Sequence, residues 1–407
     1  MVSDVRSISI GEHIDIIKGK KPKQVFDLPI DEFTKPYVLA GSFNSKGYSS
    51  FTNDTSCKSC EEDDILLLWD GSRAGRVAIG LSGYIGSTIA ALKVKNKDFI
   101  NPSFLYYNLK FKNDYIEKNT AGTGIPHVQK DIIQKLKIPL FSIHQQEKIV
   151  SILSCVDEAI EKTESILKKT EELKKGLMQQ LLTKGIGHTE LKKTDIGEIP
   201  SDWRMGLITD FCKEIFLGLT SKVDYVEENG IPLVRATDIN KGVLNLKKAR
   251  LISKAQHEKL TRRRKAELGD ILVSKSGNLG TIALVDTDRE FSIYESIICL
   301  KPQNTVLHPE FLMWYLRSSK TQQRMLGDKV GSSVGHLNLT QFRNLIIAIP
   351  RIDEQLKIAE ILNSIQGKII KEQQKLFKLQ FIHKGLMQSL LTGKVRVKVD
   401  GDEVAQI

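Results

Sequence analysis

The sequence predicts a mixed α/β (α+β) fold with two globular domains, separated by two long antiparallel coiled-coil helices and related by an internal pseudo-twofold repeat. At 407 residues the chain is too long for one compact core. Residues 143–183 are repeated at 352–392 with 18 identities in 41 positions, and both copies are rich in charged residues. Outside these copies, short apolar runs are bounded by Gly, Asn, Asp and Pro, which is typical of strands.

The two repeated segments are predicted to be long helices. In the first copy Leu153, Ile160 and Leu167 recur every seven residues in a Glu/Lys-rich background, and this period indicates a coiled-coil seam. Ser142 and Gln145 resemble a capping box at its start. About 40 residues at about 1.5 Å each make a helix of about 60 Å, which is longer than one side of a small domain.

The similarity continues through the globular segments, at offsets that drift between 196 and 209 residues. We interpret the chain as an internal duplication in which the globular halves diverged while the helical segments kept their length. The order globule–helix–globule–helix allows the two helices to run antiparallel. The aligned segments are PYVLAGSFN (36–44) with PLVRATDIN (232–240), DDILLLWDGSRAG (63–75) with GDILVSKSGNLG (269–280), NPSFLYYNL (101–109) with HPEFLMWYL (308–316), and GTGIPHVQKDI (122–132) with GSSVGHLNLTQ (331–341).

Local patterns predict the elements and boundaries of the globular domains. Strands are predicted in DILLLW, VAIGL, IAALKV and LKIPL of the first half and in DILVS, TIALV, IICLKP and LIIAIP of the second. Short helices are predicted in PSFLYYNLK and PEFLMWYLRS, and glycines in LTKGIGHTELKKTDIGEIPSDW end the first helical segment. The predicted boundaries are 1–142 and 189–351 for the globular domains, 143–188 and 352–398 for the helical regions, and 399–407 for a C-terminal tail.

The charge of the chain favours a polyanionic partner. The net charge is +11 and the sequence pI about 9.2, and +9 of this excess lies in residues 1–142 and 189–351. Such a balance most often indicates nucleic-acid binding. No apolar run of about 18 residues predicts a membrane span, and the N-terminus lacks a signal-peptide pattern, so we expect a cytoplasmic protein without membrane contact.

The cysteines do not predict a disulfide framework or a metal site. The five residues are irregularly spaced, and the lone CxxC from Cys57 to Cys60 has no second pair at the spacing of a zinc site. We therefore expect two reduced thiols in a polar loop.

Several motifs resemble the DNA-specificity (S) subunits of type I restriction–modification systems. IGEIPSDW (196–203) resembles the opening of the second target-recognition domain of such subunits, and GTGIPHVQKDIIQKLKIPLFSIHQQEKIVSIL resembles the end of the first one running into a conserved helical region. LKKGLMQQLLTKG and IHKGLMQSLLTGKVRV resemble the two C-terminal ends of that region. The helices open with LFSIHQQ and PRIDEQ where the family often shows two prolines and EQ, which leaves the helix starts open by a residue or two.

The resemblance implies a non-catalytic subunit without a cofactor of its own. Each target-recognition domain would read one half of a bipartite, asymmetric site in double-stranded DNA. The helices would set the spacer and dock two modification subunits, which methylate adenine from S-adenosylmethionine. Restriction and translocase subunits that use ATP and Mg would join the same assembly.

The repeated GLMQ-x-LLT block suggests identical docking surfaces, because each half would meet an identical modification subunit. The predicted docking residues are Gly176, Leu177, Met178, Leu181, Leu182, Gly385, Leu386, Met387, Leu390 and Leu391.

Residues that could touch DNA are sought on exposed loops. Phosphate contacts favour Lys, Arg, Ser and Thr, and base readout favours Arg, Lys, Asn and Gln. For each candidate a solvated surface role carries equal weight, except in TRRRK (261–265), whose charge density favours phosphate contact. The two aligned histidines could equally share a packing or turn role. The candidates are Lys18, Lys20, Lys21, Lys23, Arg73, Arg76, His127, Thr220, Ser221, Lys222, Arg235, Arg262, Arg263, Arg264, Lys275, Ser276, Asn278 and His336.

Two other classes of protein compete with this interpretation. Asn101 to Phe104 (NPSF) superficially resembles the N-P-P-F motif of amino-methyltransferases, but its duplicate is HPEF and Pro is common at helix starts. No glycine-rich cofactor turn, phosphate loop or HExxH motif supports a DNA methyltransferase or nuclease. A coiled-coil scaffold without a DNA role would account for the helices but not for two diverged basic domains.

Overall fold

The chain forms two compact units. The computed structural model describes residues 6–45, 47–122, 124–218, 223–240, 242–327 and 337–399. Unit 1 comprises Met1–Glu164 with Gln374–Ile407, and unit 2 comprises Ser165–Gln373. Each unit therefore contains one globular part and a segment of both long helices, whereas the sequence-based boundaries set the helices apart from the globular domains.

The first half of the chain supplies the globular part of unit 1. A 3-10 helix lies at Ile10–Glu12. The other elements are β1 (Ser7–Ser9), β2 (Ile14–Lys18), β3 (Lys35–Val38), α1 (Ser42–Ser45), β4 (Phe51–Thr52), β5 (Ser59–Cys60), β6 (Ile65–Leu68), β7 (Val77–Ala78), β8 (Gly83–Ile85), β9 (Ile89–Val94), α2 (Pro102–Phe111), α3 (Asn113–Lys118), α4 (Lys130–Gln134), β10 (Lys137–Pro139) and the long helix α5 (Ile143–Lys184).

The second half repeats this order with additions. 3-10 helices lie at Ile208–Phe211 and Ala236–Asp238. The other elements are β11 (Leu191–Thr194), β12 (Gly197–Pro200), β13 (Arg204–Leu207), β14 (Cys212–Leu217), β15 (Tyr225–Val226), β16 (Ile231–Val234), β17 (Ile239–Asn240), β18 (Val243–Leu244), β19 (Arg250–Ile252), α6 (Lys254–Thr261), β20 (Ile271–Ser274), β21 (Ile282–Leu284), β22 (Ser292–Ile293), β23 (Ile297–Pro302), α7 (Pro309–Arg317), α8 (Ser319–Leu326), α9 (Leu339–Arg343), β24 (Ile346–Ile349) and the long helix α10 (Ile352–Leu390).

The two globular parts share one sheet topology. Unit 1 has an antiparallel sheet in the order β2-β9-β6-β7, and unit 2 has one in the order β14-β23-β20-β21. A second sheet in each unit contains one parallel pair, β3 with β8 and β16 with β22. The strands and the two helices predicted from the apolar runs are confirmed, and so is the internal repeat.

A helix packs on each sheet and joins it to the long helices. In unit 1 Phe104 and Leu105 of α2 share a buried cluster with Ile65 of β6 and Leu92 of β9. In unit 2 α7 and strands β20 and β23 form the equivalent cluster, which includes Phe311. Each antiparallel sheet is therefore buried on both faces, by this helix cluster on one side and by a second cluster shared with the smaller sheet on the other. The strand ends and their loops are left for other roles.

The long helices run antiparallel within each unit. In unit 1 Leu153, near the start of α5, shares a buried cluster with Met387 and Leu390, near the end of α10. In unit 2 Leu181, near the end of α5, shares a cluster with Leu362, near the start of α10. Because the start of one helix meets the end of the other in both units, the predicted antiparallel pairing is confirmed.

A buried glutamine fastens the start of each long helix to its globular part. Gln146 Oε1 accepts a hydrogen bond from Asn101 N at 2.9 Å, and its amide donates to Phe99 O and Phe141 O. Gln355 repeats the arrangement in unit 2 with three backbone groups of its own. The predicted capping box is also present, since Ser142 and Gln145 exchange side-chain-to-backbone bonds of 3.3 Å.

The CxxC cysteines correct one prediction. Cys57 and Cys60 are buried rather than placed in a solvated loop, and Cys60 lies in β5. The Sγ atom of Cys60 lies 3.5 Å from the carbonyl oxygens of Leu81 and Gly83. Burial raises the pKa of this thiol to about 12, so it packs as a neutral apolar group.

Candidate nucleic-acid interface

In unit 1 three loops meet at one edge of the main sheet. The backbone N–H of Trp69, which follows β6, donates to Thr88 O at 2.8 Å. The N–H of Gly86, which follows β8, donates to Val38 O at the end of β3 at 2.9 Å. The loop around residues 69–76 is also tied to the segment before α4, because Val128 N donates to Trp69 O at 2.8 Å.

Unit 2 repeats these bonds with different residues. Lys275 N donates to Ser296 O at 2.7 Å, Tyr294 N donates to Val234 O at 2.9 Å, and Leu337 N donates to Lys275 O at 2.9 Å. The backbone scaffold of this edge is therefore the same in both units. Loops held by a rigid sheet are common carriers of recognition residues.

A glycine at the same place in both units lets the loops approach each other. A Cβ atom on Gly19 would lie 2.2 Å from Gly86 O, and one on Gly218 would lie 2.3 Å from Tyr294 O. Neither gap admits a side chain, because the opposing atom belongs to the backbone. The close approach is thus part of the shared scaffold.

The side chains on this scaffold differ between the units. Unit 2 has Lys275 and Ser276 where unit 1 has Trp69 and Asp70, as the matching hydrogen bonds align them. One scaffold with two sets of polar groups is the arrangement expected of domains that read different ligands of the same class.

In unit 2 three of the sequence-predicted residues converge on one cleft. Arg235, Lys275 and Ser276 line an open cleft of about 440 Å³ together with Tyr294 and Glu295. The carboxylate of Asp238 accepts from both the backbone N and the Nε of Arg235, at 2.8 and 3.3 Å, and so orients the guanidinium. A held guanidinium beside a lysine suits contact with base edges or phosphates.

The sequence-based search missed Tyr294 and Glu295. They follow β22 and occupy the positions that correspond to Gly86 and Ser87 of unit 1. β22 has only two residues, so no periodic pattern announced it. One signal was available in the sequence: residues 294–296 (YES) occupy the positions of residues 86–88 (GST) in the first half.

The arginine cluster that follows α6 lines a second cleft in unit 2. Arg262, Arg263 and Arg264 are exposed around an open cleft of about 440 Å³, whose apolar floor includes Phe216 and Phe291. Arg264 Nε lies 2.6 Å from Glu214 Oε1, so its charge is partly compensated. Gly218 lines this cleft as well, which connects it to the edge of the main sheet.

The lysine-rich loop of unit 1 is ordered by carboxylates. Lys18 Nζ lies 3.0 Å from Asp70 Oδ2, and Lys20 Nζ donates to Ser56 Oγ at 3.3 Å. The backbone N–H of Lys23 donates to Asp54 at 2.9 Å and lowers the pKa of that carboxyl to about 2.

Lys21 is exposed in the same loop. Of the four lysines, Lys18 thus forms an ion pair with Asp70 in the loop after β6. The other three lie in a loop that hydrogen bonds to Asp54 and Ser56 hold in place.

The remaining predicted residues fall into three groups. His127, Arg73 and Arg76 are exposed, and the backbone of His127 forms an isolated bridge to Asp70, which places the three on neighbouring loops. Asn278 is exposed but lines a different cavity from Lys275. Thr220, Ser221, Lys222 and His336 lie outside the described residues.

Most of the predicted docking side chains of the two GLMQ-x-LLT copies lie in or against the cores of their own units. Leu181, Leu182, Met387, Leu390 and Leu391 are buried in the core of their own unit. Leu177, Met178 and Leu386 pack against the same cores. The five buried side chains close each core and offer little surface to a partner, whereas Leu177, Met178 and Leu386 are half-buried.

Gly176 and Gly385 are the exposed members of the predicted docking set. Nothing within 4 Å would meet a Cβ atom on either of them. An interior helical glycine costs about 1 kcal/mol relative to alanine, and no contact within the unit requires these two.

No metal-binding group and no membrane span is found in the part of the chain that the structure describes. Within these ranges no three or more His, Cys, Asp or Glu side chains are placed to hold a metal ion. Likewise, none of the described helices is long and apolar enough to cross a bilayer.

Comparisons with known proteins give one consistent family. Residues 3–172 and 200–380 match the type I restriction modification DNA specificity domain. The type I restriction enzyme MjaVIII specificity subunit of Methanocaldococcus jannaschii is 30% identical over 402 residues, which cover 97% of this chain and 94% of that protein. The EcoBI specificity subunit of Escherichia coli is 24% identical over 311 residues, covering 73% and 65%.

Solved structures agree at the level of the fold. A type I restriction–modification S subunit from M. genitalium superposes with a TM-score of 0.63 at 18% identity and covers 96% of this chain and 97% of its own. A chain from a study of complex assembly and conformational transition of the type I R-M system gives 0.54 at 17% identity, covering 97% and 99%.

Proposed function

The chain belongs to the type I restriction modification DNA specificity family, and we propose that each of its two units reads one half of a bipartite, asymmetric DNA site. In this proposal the chain performs no catalysis. Adenine methylation from S-adenosylmethionine, and cleavage driven by ATP and Mg, belong to modification and restriction subunits that assemble with it.

One observation carries the proposal. The loops at the edge of the main sheet keep the same backbone hydrogen bonds in both units, while the side chains they present differ. In unit 2 these side chains include Arg235, Lys275 and Ser276, which line one cleft that we call the reading cleft. A shared scaffold with divergent polar groups fits two readers of unlike sequences, since hydrogen-bonding groups in the grooves carry base identity.

The exposed arginines beside that cleft fit a supporting role. Arg262 and Arg263 lie around a cleft that shares Gly218 with the loop edge. In the proposal they contact phosphates and so position the reading loops without themselves selecting bases.

We place partner docking on the outward faces of the long helices. Phe377 and Phe381 of α10 are 71% and 74% exposed, and Gly385 continues their row at the spacing of one helix face. On α5 Leu173 is 55% exposed and precedes Gly176 by three residues. Exposed aromatic side chains next to an open glycine suit close approach of a partner helix, and we assign this surface to the modification subunits.

The methylation motif of cells that express this chain with its modification subunit tests the proposal. We expect a two-part adenine-methylation motif with a fixed spacer. Lys275→Ala should relax the bases of one half only, because Lys275 belongs to the reading cleft of unit 2 alone. Lys193→Ala, an exposed lysine of β11 in unit 2 that does not line this cleft, is the matched control and should leave the motif unchanged.

Two results would argue against the proposal. A single undivided motif would contradict reading by two units. A relaxation of both halves by Lys275→Ala would contradict the assignment of one half to each unit.

A further inference from the structure

A cavity of about 740 Å³ in unit 2 lies between the long helices and the globular part. Its lining includes Lys174 of α5, Gln366 and Ile370 of α10, and Trp314 and Arg317 of α7. Gly277 lines both this cavity and the reading cleft. The DNA-recognition role described above makes no use of Lys174, Gln366 or Arg317.

Two positive charges face this cavity without a compensating carboxylate. Arg317 donates only to the neutral carbonyl oxygens of Gly242 and Ile282, and Lys174 donates to the amide oxygen of Gln366 at 3.0 Å. Among the described residues, neither cation forms an ion pair, and no Asp or Glu lines the cavity.

Burial lowers the pKa of both cations, that of Arg317 to about 10. Each also lies over the ring of Trp314, at 5.9 Å for Lys174 and 5.3 Å for Arg317. A partly desolvated charge without a counter-charge is costly, so a bound anion would relieve the site. Glu171, on the same helix, acts on Lys174 without forming an ion pair with it, and Glu310 of α7 accepts a hydrogen bond from Asn363.

The duplicated cluster in unit 1 shows what is missing. There Asp157 stands at the position of Gln366, and it receives a hydrogen bond of 2.8 Å from Tyr107, the counterpart of Trp314. Lys110, the counterpart of Arg317, lies 3.5 Å from the same carboxylate. His383, the counterpart of Lys174, lies 3.3 Å from it.

A second acid has also been replaced. Glu161 of unit 1 corresponds to Ile370, which lines the cavity of unit 2. In unit 1 the carboxylate of Asp157 thus lies against both basic groups. In unit 2 the same framework keeps two cations, with an amide and an aliphatic side chain in place of the acids.

We propose that this cavity of unit 2 binds a phosphate group between Lys174 and Arg317. Because the oxygen of Gln366 accepts from Lys174, the amide nitrogen of Gln366 supplies a further donor for the anion. The phosphate comes either from the DNA backbone, whose reading cleft adjoins at Gly277, or from a free phosphate ligand. The proposal does not depend on which bases the units read.

Calorimetric titration of the full chain with inorganic pyrophosphate tests the site. The wild-type chain should bind it, and Lys174→Met should weaken binding by about tenfold or more through loss of a charged donor. Gln366→Asp should weaken it as strongly, because it restores the carboxylate of unit 1 without removing any cation. Lys168→Met, which removes an exposed cation from the same helix, should have no effect.

The salt dependence of binding to random duplex DNA separates the two sources. If a DNA phosphate occupies the site, Lys174→Met should lower the slope of log K against log salt by about 0.9. If the ligand is free phosphate, Lys174→Met should leave this slope unchanged, although the wild-type chain binds pyrophosphate.

Absence of pyrophosphate binding together with an unchanged slope would overturn the proposal. So would equal pyrophosphate affinity of the wild-type chain and Gln366→Asp, with the fold of the variant checked by circular dichroism. Either result leaves the two-part methylation motif as a separate test of the recognition role.

Discussion

Gly19 and Gly218 occupy equivalent places in the two units, and the chain has no room for any other residue there. Each would bring a Cβ atom to between 2.2 and 2.4 Å from two backbone oxygens. The opposing atoms belong to neighbouring loops of the candidate interface, so relief would require movement of a whole loop. The shared glycine therefore sets the distance between loops that must present their side chains together.

We expect Gly19→Ala and Gly218→Ala each to lower the free energy of unfolding of their unit by about 1–3 kcal/mol, the usual effect of overpacking. Urea denaturation followed by circular dichroism measures this. Gly41→Ala is the matched control, because nothing lies within 4 Å of a Cβ atom at that position. Equal stability of Gly19→Ala and Gly41→Ala would show that the loops can separate freely.

His383 gives unit 1 a dependence on pH. Burial lowers the pKa of its imidazole, against the opposing effect of Asp157 and with the help of Lys110. The unfolded chain then takes up the proton more readily than the folded chain. Stability is therefore complete above the ordinary histidine pKa of about 6.5 and is lost as the pH falls below it.

Unfolding of the wild-type chain and His383→Gln in urea at pH 7.5 and pH 5.5 tests this linkage. The wild-type chain should lose more stability between the two values than the variant. His144→Gln is the control, because that imidazole is largely exposed in the same unit. A loss of the same size in the wild-type chain and His383→Gln would assign the pH dependence to other groups.

At the scale of elements, the long helices could be predicted from sequence and the reading cleft could not. The heptads of α5 and α10 repeat over about 40 residues, so their period survives any local exception. The cleft depends on β16 and β22, which have four and two residues and pair in parallel across distant parts of the chain. Arg235 and Lys275 were found as basic loop residues, but their convergence required that pairing.

The GLMQ-x-LLT block shows a different limit. Its repetition was visible, but repetition is equally expected of a docking surface and of a core that each unit must close. Burial decides between them, and burial depends on where the partner helix lies. Leu181 and Leu390 are covered because the antiparallel helix and the globular part of their own unit reach them.

The segment after α6 should contribute to DNA affinity but not to sequence preference. Replacing Arg262 and Arg263 with Ala should weaken binding to all duplexes and lower the slope of log K against log salt by up to about 1.8, which is about 0.9 for each DNA phosphate that the protein no longer neutralises. Fluorescence anisotropy with random and specific duplexes at graded salt measures both effects.

Arg264→Ala should change the slope less, because Glu214 already compensates that charge. Lys378→Ala, an exposed substitution on α10, serves as the control. An unchanged slope in the Arg262 and Arg263 double variant would exclude this segment from phosphate contact.

At the scale of the whole molecule, the constant offset of 209 residues through both helices is the feature to explain. The globular parts tolerated insertions, such as the β17–β18 pair and α6, whereas the helical segments kept an identical length. Surface loops accept insertions at low cost, and an insertion in either long helix would displace the antiparallel seam. An unchanged length is thus consistent with a coiled-coil seam and with the spacer role proposed for the helices.

Deletion of one heptad, residues 163–169, tests that role. On its own it should shorten the spacer of the methylation motif or abolish methylation, because the seam of one helix no longer matches the other.

Deleting the equivalent residues 372–378 as well restores equal helix lengths and shortens the pair by about 10 Å. We expect the double deletion to recover methylation with both half-sites intact and a spacer about three base pairs shorter, at about 3.4 Å per base pair. Methylome sequencing reads both quantities at once. If the half-site bases changed and the spacer did not, the helices would contribute to base recognition and would not set the spacer length.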